Sequence, residues 1–493
     1  MVALALALLL ALAGCASEGD SVRPASSFKS GYPTPEGAAK LRDELLYQRA
    51  VQSYLWALPA LNMRAMKEGS EGKFGEGYNV LPIWKERLDA KTLVTTPNSD
   101  VIYAMGYLDL HADGPLVIEA PPGLQGILDD FFQRPICSVA KLRGKIWCGD
   151  VGLPGPDQGK GGKYLVLPPD YAGKVPAGFL AYRSRTYGVF VFWRGFFKDP
   201  KQLAAPVKVM EQTRIYPLGK RAYAKKMMFP DASGVAVNML PPRDASAFDM
   251  LKRFIDAEYV DPRDMDMRGM LQSLGIVKDQ SFDPDDHQHE ILDKAARRAA
   301  EMGRFVGQVV TTERHGGLYY GDRQWMNGFP PTPGTPTFEA ATYTDTELRS
   351  GFFTLAYSTS PGMALSLPDV GAKYPCAFKD ADGDFLVGDR SYKLHLPAGI
   401  PAKLFWSVTV YDAETAAGLD NGQPFPSLSQ MDRPAKNPDG STDVYLGPSS
   451  PGPGRNWLAT VPGKGFFVIL RLYGPTRAFY DQSWKPGDVE KLR

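Results

Sequence analysis

Short runs of β-branched and aromatic residues, each ended within a few positions by Gly or Pro, fill two long stretches of this chain and constrain it to a largely β architecture. Val101–Tyr107 and Leu116–Glu119 are such runs, cut by Pro121-Pro122-Gly123, by the loop Gly152 to Gly162 and by Pro168-Pro169. Fifty Gly and forty-two Pro with 11% aromatics fit many turns between aromatic-rich strands, not a helical bundle. Helical spacing appears in two other places. Leu41, Leu45, Leu46, Val51, Tyr54 and Leu55 predict a helix over 36–70. Ser246 is placed to cap a helix carrying Phe248, Leu251, Phe254 and Ile255. Asp283-Pro284-Asp285 opens another through Ile291 and Leu292 to Met302. The expected order is therefore a helix plus β domain over 36–200, a helical domain over 201–315 and a second β domain over 316–493. A chain of 493 residues is long enough for two or three cores.

Charge narrows the partners. Fifty-six basic against fifty-five acidic residues leave +1, so nothing favours nucleic acid. The apolar run Val2 to Ala13 is the length of a signal segment and too short to span a bilayer. It ends in Leu12-Ala13-Gly14-Cys15, which resembles the lipobox of bacterial lipoproteins. Residues 1–15 are thus read as a lipoprotein signal, Cys15 as the lipidation site and 16–35 as a flexible tether. The implied partner is a membrane, held through acyl chains on Cys15. Ala16 after the cysteine points to the periplasmic side of an outer membrane. Oligomeric state stays open.

In an exported chain the other thiols need an account. Cys137 and Cys148 flank a segment that turns at Arg143-Gly144 and reads as a hairpin. They are either a disulfide across it or two reduced, buried thiols.

Two blocks of motifs carry a family resemblance. The first runs from Thr95-Thr96-Pro97-Asn98-Ser99-Asp100 through Tyr103, Asp129-Asp130, Gln133-Arg134 and Gly155-Pro156-Asp157 to Gly161-Gly162-Lys163-Tyr164. The second holds Tyr374, Asp382-Gly383, Phe405 to Asp412, Asn456-Trp457 and Arg471-Leu472-Tyr473-Gly474-Pro475. Together they resemble the paired domains of unknown function DUF 1254 and DUF 1214. The resemblance implies two jelly-roll-like antiparallel β-sandwich domains with a helical domain between them. It implies no reaction and no cofactor. This chain has Thr415-Ala416-Ala417 where such proteins usually carry an Arg in a Thr-Arg-Ser-like run.

Few residues announce chemistry. His287 and His289 are two apart on an expected helix, pointing in different directions, so no metal site is expected. No Gly-x-Ser-x-Gly elbow occurs. Gly159-Lys160-Gly161-Gly162-Lys163 lacks the spacing of a phosphate loop, and Asp380 to Asp384 lacks the closing Glu of a calcium loop. No cofactor is implied. The polar candidates are Asn98, Asp100, Asp129, Asp130, Gln133 and Arg134, and Asp130 with Arg134 is expected to line a pocket together with Asn98 or Asp100. Alternation places Phe405, Ser407, Thr409 and Tyr411 on one strand face and Trp406, Val408 and Val410 on the other. The second row reads as core, leaving Tyr411 as the ligand candidate. Two functions fit: an envelope lipoprotein binding a glycan-like or other polar small molecule at a β-sandwich cleft, or a hydrolase using the Asp/Arg cluster for acid–base chemistry.

Overall fold

The computed structural model describes residues 27–330 and 334–492; Cys15, the signal segment and most of the tether lie outside them. The fold is mixed, mostly β with several helices. In the N-terminal half, one five-stranded sheet runs Ile83–Trp84, Ile102–Asp109, Gly188–Gly195, Gln125–Asp130, Asp150–Val151. A second runs Arg214–Pro217, Leu116–Ala120, Gly162–Leu167, Leu180–Arg183, Cys137–Ser138. Ile102, Ala104, Leu108, Val189, Val191 and Trp193 of the first share one core with Ile118, Tyr164, Val166 and Tyr182 of the second. Gly126 is required at its place, because a Cβ there would stand 2.1 Å from the Trp193 ring.

The alternate row of that first sheet is buried as well. Tyr103, Met105, Tyr107, Phe190 and Phe192 face a different core, built largely of helices. A strand buried on both faces reads as a continuous apolar run, which is what Gly188-Val-Phe-Val-Phe-Trp is. The helical layer combines Pro35–Phe74 with Ser246–Ala257, Met265–Ser273, Asp286–Phe305 and Thr346–Leu355. Thr34 caps the long helix by accepting from Gly37 N at 3.0 Å, and Asp285 caps Asp286–Phe305 by accepting from Gln288 N at 2.8 Å.

Two features differ from the sequence expectation. The long helix, grouped above with 36–200, packs on the helices of the middle segment. Within 316–493, read as strands and loops, Thr346–Leu355 is helical. Asp345 caps it by accepting from Leu348 N at 2.9 Å, whereas Phe352-Phe353-Thr354 has the local composition of a strand. Packing against the long helix decides the outcome.

The C-terminal half repeats the two-sheet arrangement. Trp325–Met326, Cys376–Ala377, Phe466–Pro475, Ala402–Asp412 and Ser427–Ser429 form one sheet, with Ala372–Lys373 also pairing with Phe466–Pro475. Trp457–Ala459, Thr442–Gly447, Tyr392–Leu396 and Val489–Lys491 form the other. Trp406, Val408, Val410, Leu470 and Leu472 lie in the core between them. Phe405 and Tyr473 point the other way, into the helix-rich core shared with the N-terminal half. Cys137 and Cys148 are joined as a disulfide, with Cα atoms 4.0 Å apart. Arg143 and Gly144 at the tip of that hairpin both have positive φ, 51° and 83°. Among the described residues no helix is long and apolar enough to cross a membrane.

Candidate functional site

The inward rows of the two central strands meet across a cavity of about 160 Å³. From Gly188–Gly195 come Phe192 and Arg194; from Phe466–Pro475 come Phe467, Ile469, Arg471 and Tyr473. The helix Thr346–Leu355 and the segment that follows it, with Tyr357 and Met363, close a third side. Lys373 and Tyr374 stand on a fourth.

Its charge is one-sided. Arg194, Arg471 and Lys373 line the cavity, and no Asp or Glu does. Among the described residues neither arginine forms an ion pair, although both are almost fully buried. Arg471 is held by neutral acceptors: Nη2 donates to Thr96 O at 2.8 Å and Pro97 O at 3.1 Å, and Nη1 to Thr409 Oγ1 at 3.2 Å and to the Tyr411 hydroxyl. Arg194 has still less. Its Nη2 meets only the Met363 sulfur, at 3.5 Å, and its buried Nε has no hydrogen-bond partner. The Asp150 carboxyl lies near enough to feel the Arg194 charge but forms no ion pair with it, and a buried guanidinium with no bonded counter-charge is costly unless an anion completes it. Burial also pulls the Lys373 ammonium down to about 8, while it donates to Met363 O at 2.7 Å and Ala364 O at 3.0 Å.

Tyr103 and Tyr357 keep their protons, since burial raises both hydroxyls above the ordinary phenol range. With Tyr374 they line the cavity, and none of the three hydroxyls bonds to a described residue. Phe192 and Tyr357 meet edge to face at 5.5 Å, and Phe405 stacks on Tyr473 at 4.4 Å. The wall is thus mainly aromatic, with a few polar atoms aimed inward, the usual make-up of a small-molecule pocket.

The residues singled out from sequence fall one layer behind this wall or elsewhere. Asn98 donates to the Tyr473 hydroxyl at 2.7 Å, and the Tyr411 hydroxyl donates to Pro97 O at 2.6 Å. Tyr411 is fully buried and braces Arg471, so it stands behind the cavity wall and does not line it. Asp100 is also architectural: it pairs with Arg87 at 2.6 Å and accepts from Ser427 Oγ at 2.6 Å, tying the two halves together. Ala416, at the position of the missing Arg, accepts from Thr96 N through its carbonyl at 2.6 Å.

Asp130 and Arg134 do not share a pocket with Asn98 or Asp100, contrary to expectation. Asp130 closes its own turn, accepting from Phe132 N at 2.8 Å, Arg134 N at 3.0 Å and Arg134 Nε at 2.7 Å. Asp129 instead reaches the segment after Tyr357, accepting from Ser358 Oγ at 2.7 Å and Thr359 N at 3.2 Å. Gln133 accepts from Ser358 N at 2.6 Å and donates to Pro59 O at 2.8 Å. Asp150 takes the other end of the same segment, accepting from Gly362 N at 2.8 Å. Burial pushes the Asp129 carboxyl well above its ordinary range and that of Asp150 up to about 6. These acids fix the strap that carries Tyr357 and Met363 into the wall; neither Asp129 nor Asp130 lines the cavity. Sequence reading missed Arg194 and Arg471. The available signal was the alternation Phe190, Phe192, Arg194 and Phe467, Ile469, Arg471: a charge in a row that is otherwise apolar.

A family model described as a protein of unknown function (DUF1254) matches residues 78–217, and another so described (DUF1214) matches 371–477. No curated protein matches the chain. The crystal structure of the VPA0106 protein from Vibrio parahaemolyticus is similar with a TM-score of 0.51 at 17% identity, covering 91% of this chain and all of that one (100%). An uncharacterised protein from Burkholderia cenocepacia is similar with a TM-score of 0.39 at 12% identity, covering 93% of this chain and 97% of that one. The first of these likenesses bears on fold alone.

Proposed function

Since this chain pairs a DUF1254 with a DUF1214 domain, families of unknown function whose matched segments both supply walls of the cavity, we propose that it binds a small organic anion between them. One observation carries the reading: three cations and no carboxylate line a largely aromatic cavity, and the two arginines are unpaired. An apolar space of ~150 Å³ is enough for a benzene-sized body. The ligand class is therefore an aromatic or compact branched carboxylate, its charge toward Arg194 and Arg471 and its body among Tyr103, Phe192 and Tyr357. This sharpens the polar-ligand reading toward an amphiphilic acid and away from a glycan, because Trp325, Trp406 and Trp484 are buried core and form no stacking platform. The hydrolytic alternative gains no support, as the Asp129–Asp130 pair serves the scaffold.

On this reading each pair of sheets is a jelly-roll-like sandwich, and the whole is an envelope lipoprotein anchored through Cys15 at the periplasmic side of an outer membrane. The lipobox-like Leu12-Ala13-Gly14-Cys15 supports that placement.

Calorimetric titration with phenylacetate and with its neutral isostere phenylacetamide tests the binding reading. The acid should bind at least about tenfold more tightly, a difference of about 1.4 kcal/mol. Arg194→Met should erase that preference with folding intact, since the Arg194 guanidinium gives the scaffold only a thioether contact and a place over the Phe192 ring at 5.0 Å. Equal affinity for acid and amide, or no binding of either, would sink the proposal.

A further inference from the structure

A second cleft, about 230 Å³, opens between the helical layer and the turn after Gln125–Asp130, and it differs in kind from the aromatic cavity. Arg134, Arg185, Arg263 and Arg349 line it, with Asp264 and Glu339. Most of these charges are spoken for. Arg263 forks onto Asp261 at 3.1 and 2.6 Å, and Arg185 lies between Asp261 at 3.2 Å and Glu339 at 3.8 Å. Arg134 uses only its Nε, on Asp130, and no described residue accepts from either of its Nη groups.

Arg349 is the exception. Its side chain makes no hydrogen bond or ion pair among the described residues, and its Nε is buried. Its guanidinium carbon stands 5.9 Å from the centre of the Phe132 ring, and that of Arg134 stands 5.0 Å from the same ring. Two cations thus share one aromatic platform, with Asp264 near enough to attract both but bonded to neither. Burial and the repulsion of Arg134 lower the Arg349 guanidinium to about 10. Asp264 is equally unpartnered: its carboxylate accepts no hydrogen bond, and burial raises it.

We infer that this cleft is a binding site for a hydrogen-phosphate-type oxyanion, held by Arg349 and the free Nη groups of Arg134, with the anion's own O–H turned to Asp264. The two guanidiniums supply planar donors suited to tetrahedral oxygens. Asp264 sets the specificity. Monohydrogen phosphate carries an O–H that a carboxylate can accept, whereas sulfate presents only lone pairs to it and is repelled. The site is independent of the aromatic cavity, and the two readings can fail separately.

The test is calorimetry on the intact chain with inorganic phosphate and, separately, sulfate, at low ionic strength and neutral pH. Phosphate should bind and raise the melting temperature, with sulfate at least about tenfold weaker. Arg349→Gln should weaken phosphate by about tenfold or more without lowering the ligand-free melting temperature, since it removes an unpaired buried charge. Asp264→Asn should narrow the phosphate–sulfate gap by relieving the repulsion. Arg194→Met should leave phosphate binding unchanged, which separates this site from the aromatic cavity. Absence of phosphate binding at concentrations on the order of 10 mM, unchanged binding in Arg349→Gln, or equal affinity for the two anions overturns the assignment.

Discussion

Asp150 offers the sharpest quantitative test of the scaffold, through the variant Asp150→Asn measured at two pH values. Burial holds its carboxyl at about 6 in the folded chain, against an ordinary 3.8, despite opposing hydrogen bonds from Ser360 and Gly362 and the nearby charge of Arg194. An acid whose folded value is raised favours folding in its protonated form. Its contribution is complete below the unfolded value near 3.8 and is lost as pH rises through 6. The whole loss is about 3 kcal/mol, of which about 1.4 kcal/mol falls between pH 5 and 8. Asn cannot ionise and keeps an oxygen for Gly362 N, so the variant should gain on the wild type by that amount over the interval. Urea midpoints, converted with a common slope, give the difference at each pH. The comparison cancels other titrating groups, including Glu258, which burial raises to about 7 in the same direction. A stability difference between wild type and Asp150→Asn that is the same at pH 5 and pH 8 would refute the reasoning.

In a bacterial host that processes lipoproteins, labelled fatty acid should enter the chain at Cys15; incorporation unchanged in Cys15→Ser rejects the anchor. Exported, unreduced material should show a Cys137–Cys148 cross-link by peptide mass mapping, and Cys137→Ser/Cys148→Ser should lose about 3 kcal/mol of stability for a loop this short. Gln133→Ala severs the strap from the long helix and leaves Ser358 N and Pro59 O without their partner. It should cost about 2–4 kcal/mol and weaken phenylacetate binding as well, and full affinity at lowered stability would show that the strap does not shape the wall.

Much of the fold was legible because strand and helix periods differ. The alternation from Phe405 to Tyr411 rightly put Trp406, Val408 and Val410 in the sandwich interior, but the opposite row is buried too, with Phe405 in the helix-rich core and Tyr411 in a smaller one. The helix 346–355 was not legible, since its propensity signal is mixed and its apolar face is defined by a long helix nearly three hundred residues away. The site misled for a different reason. Asp129, Asp130, Gln133 and Arg134 look catalytic as a string, yet successive positions in a strand and turn face different neighbours. Asp129 serves the strap, Asp130 its own turn, and Arg134 a separate cleft. Arg194 and Arg471 are invisible as a pair because 277 positions separate them in the chain.

The segment Thr95 to Asp100 explains why the two domains work as one. Its carbonyls at Thr96 and Pro97 receive Arg471, its Asn98 holds the Tyr473 hydroxyl, and its Asp100 receives Arg87 and Ser427. All but Arg87 of these partners belong to the C-terminal half. Detached from it, Arg471 would lose two of its acceptors and keep only hydroxyls, leaving a buried cation short of partners. Conversely, the one hydrogen-bonding neighbour of Arg194, the Met363 sulfur, sits on the strap that Asp129, Gln133 and Asp150 hold. Each half thus completes the environment of the other's arginine. A cavity with its cations contributed from both sides and its bracing crossed in this way has no counterpart in either half alone, and that is a physical reason for the two domains to occur in one chain.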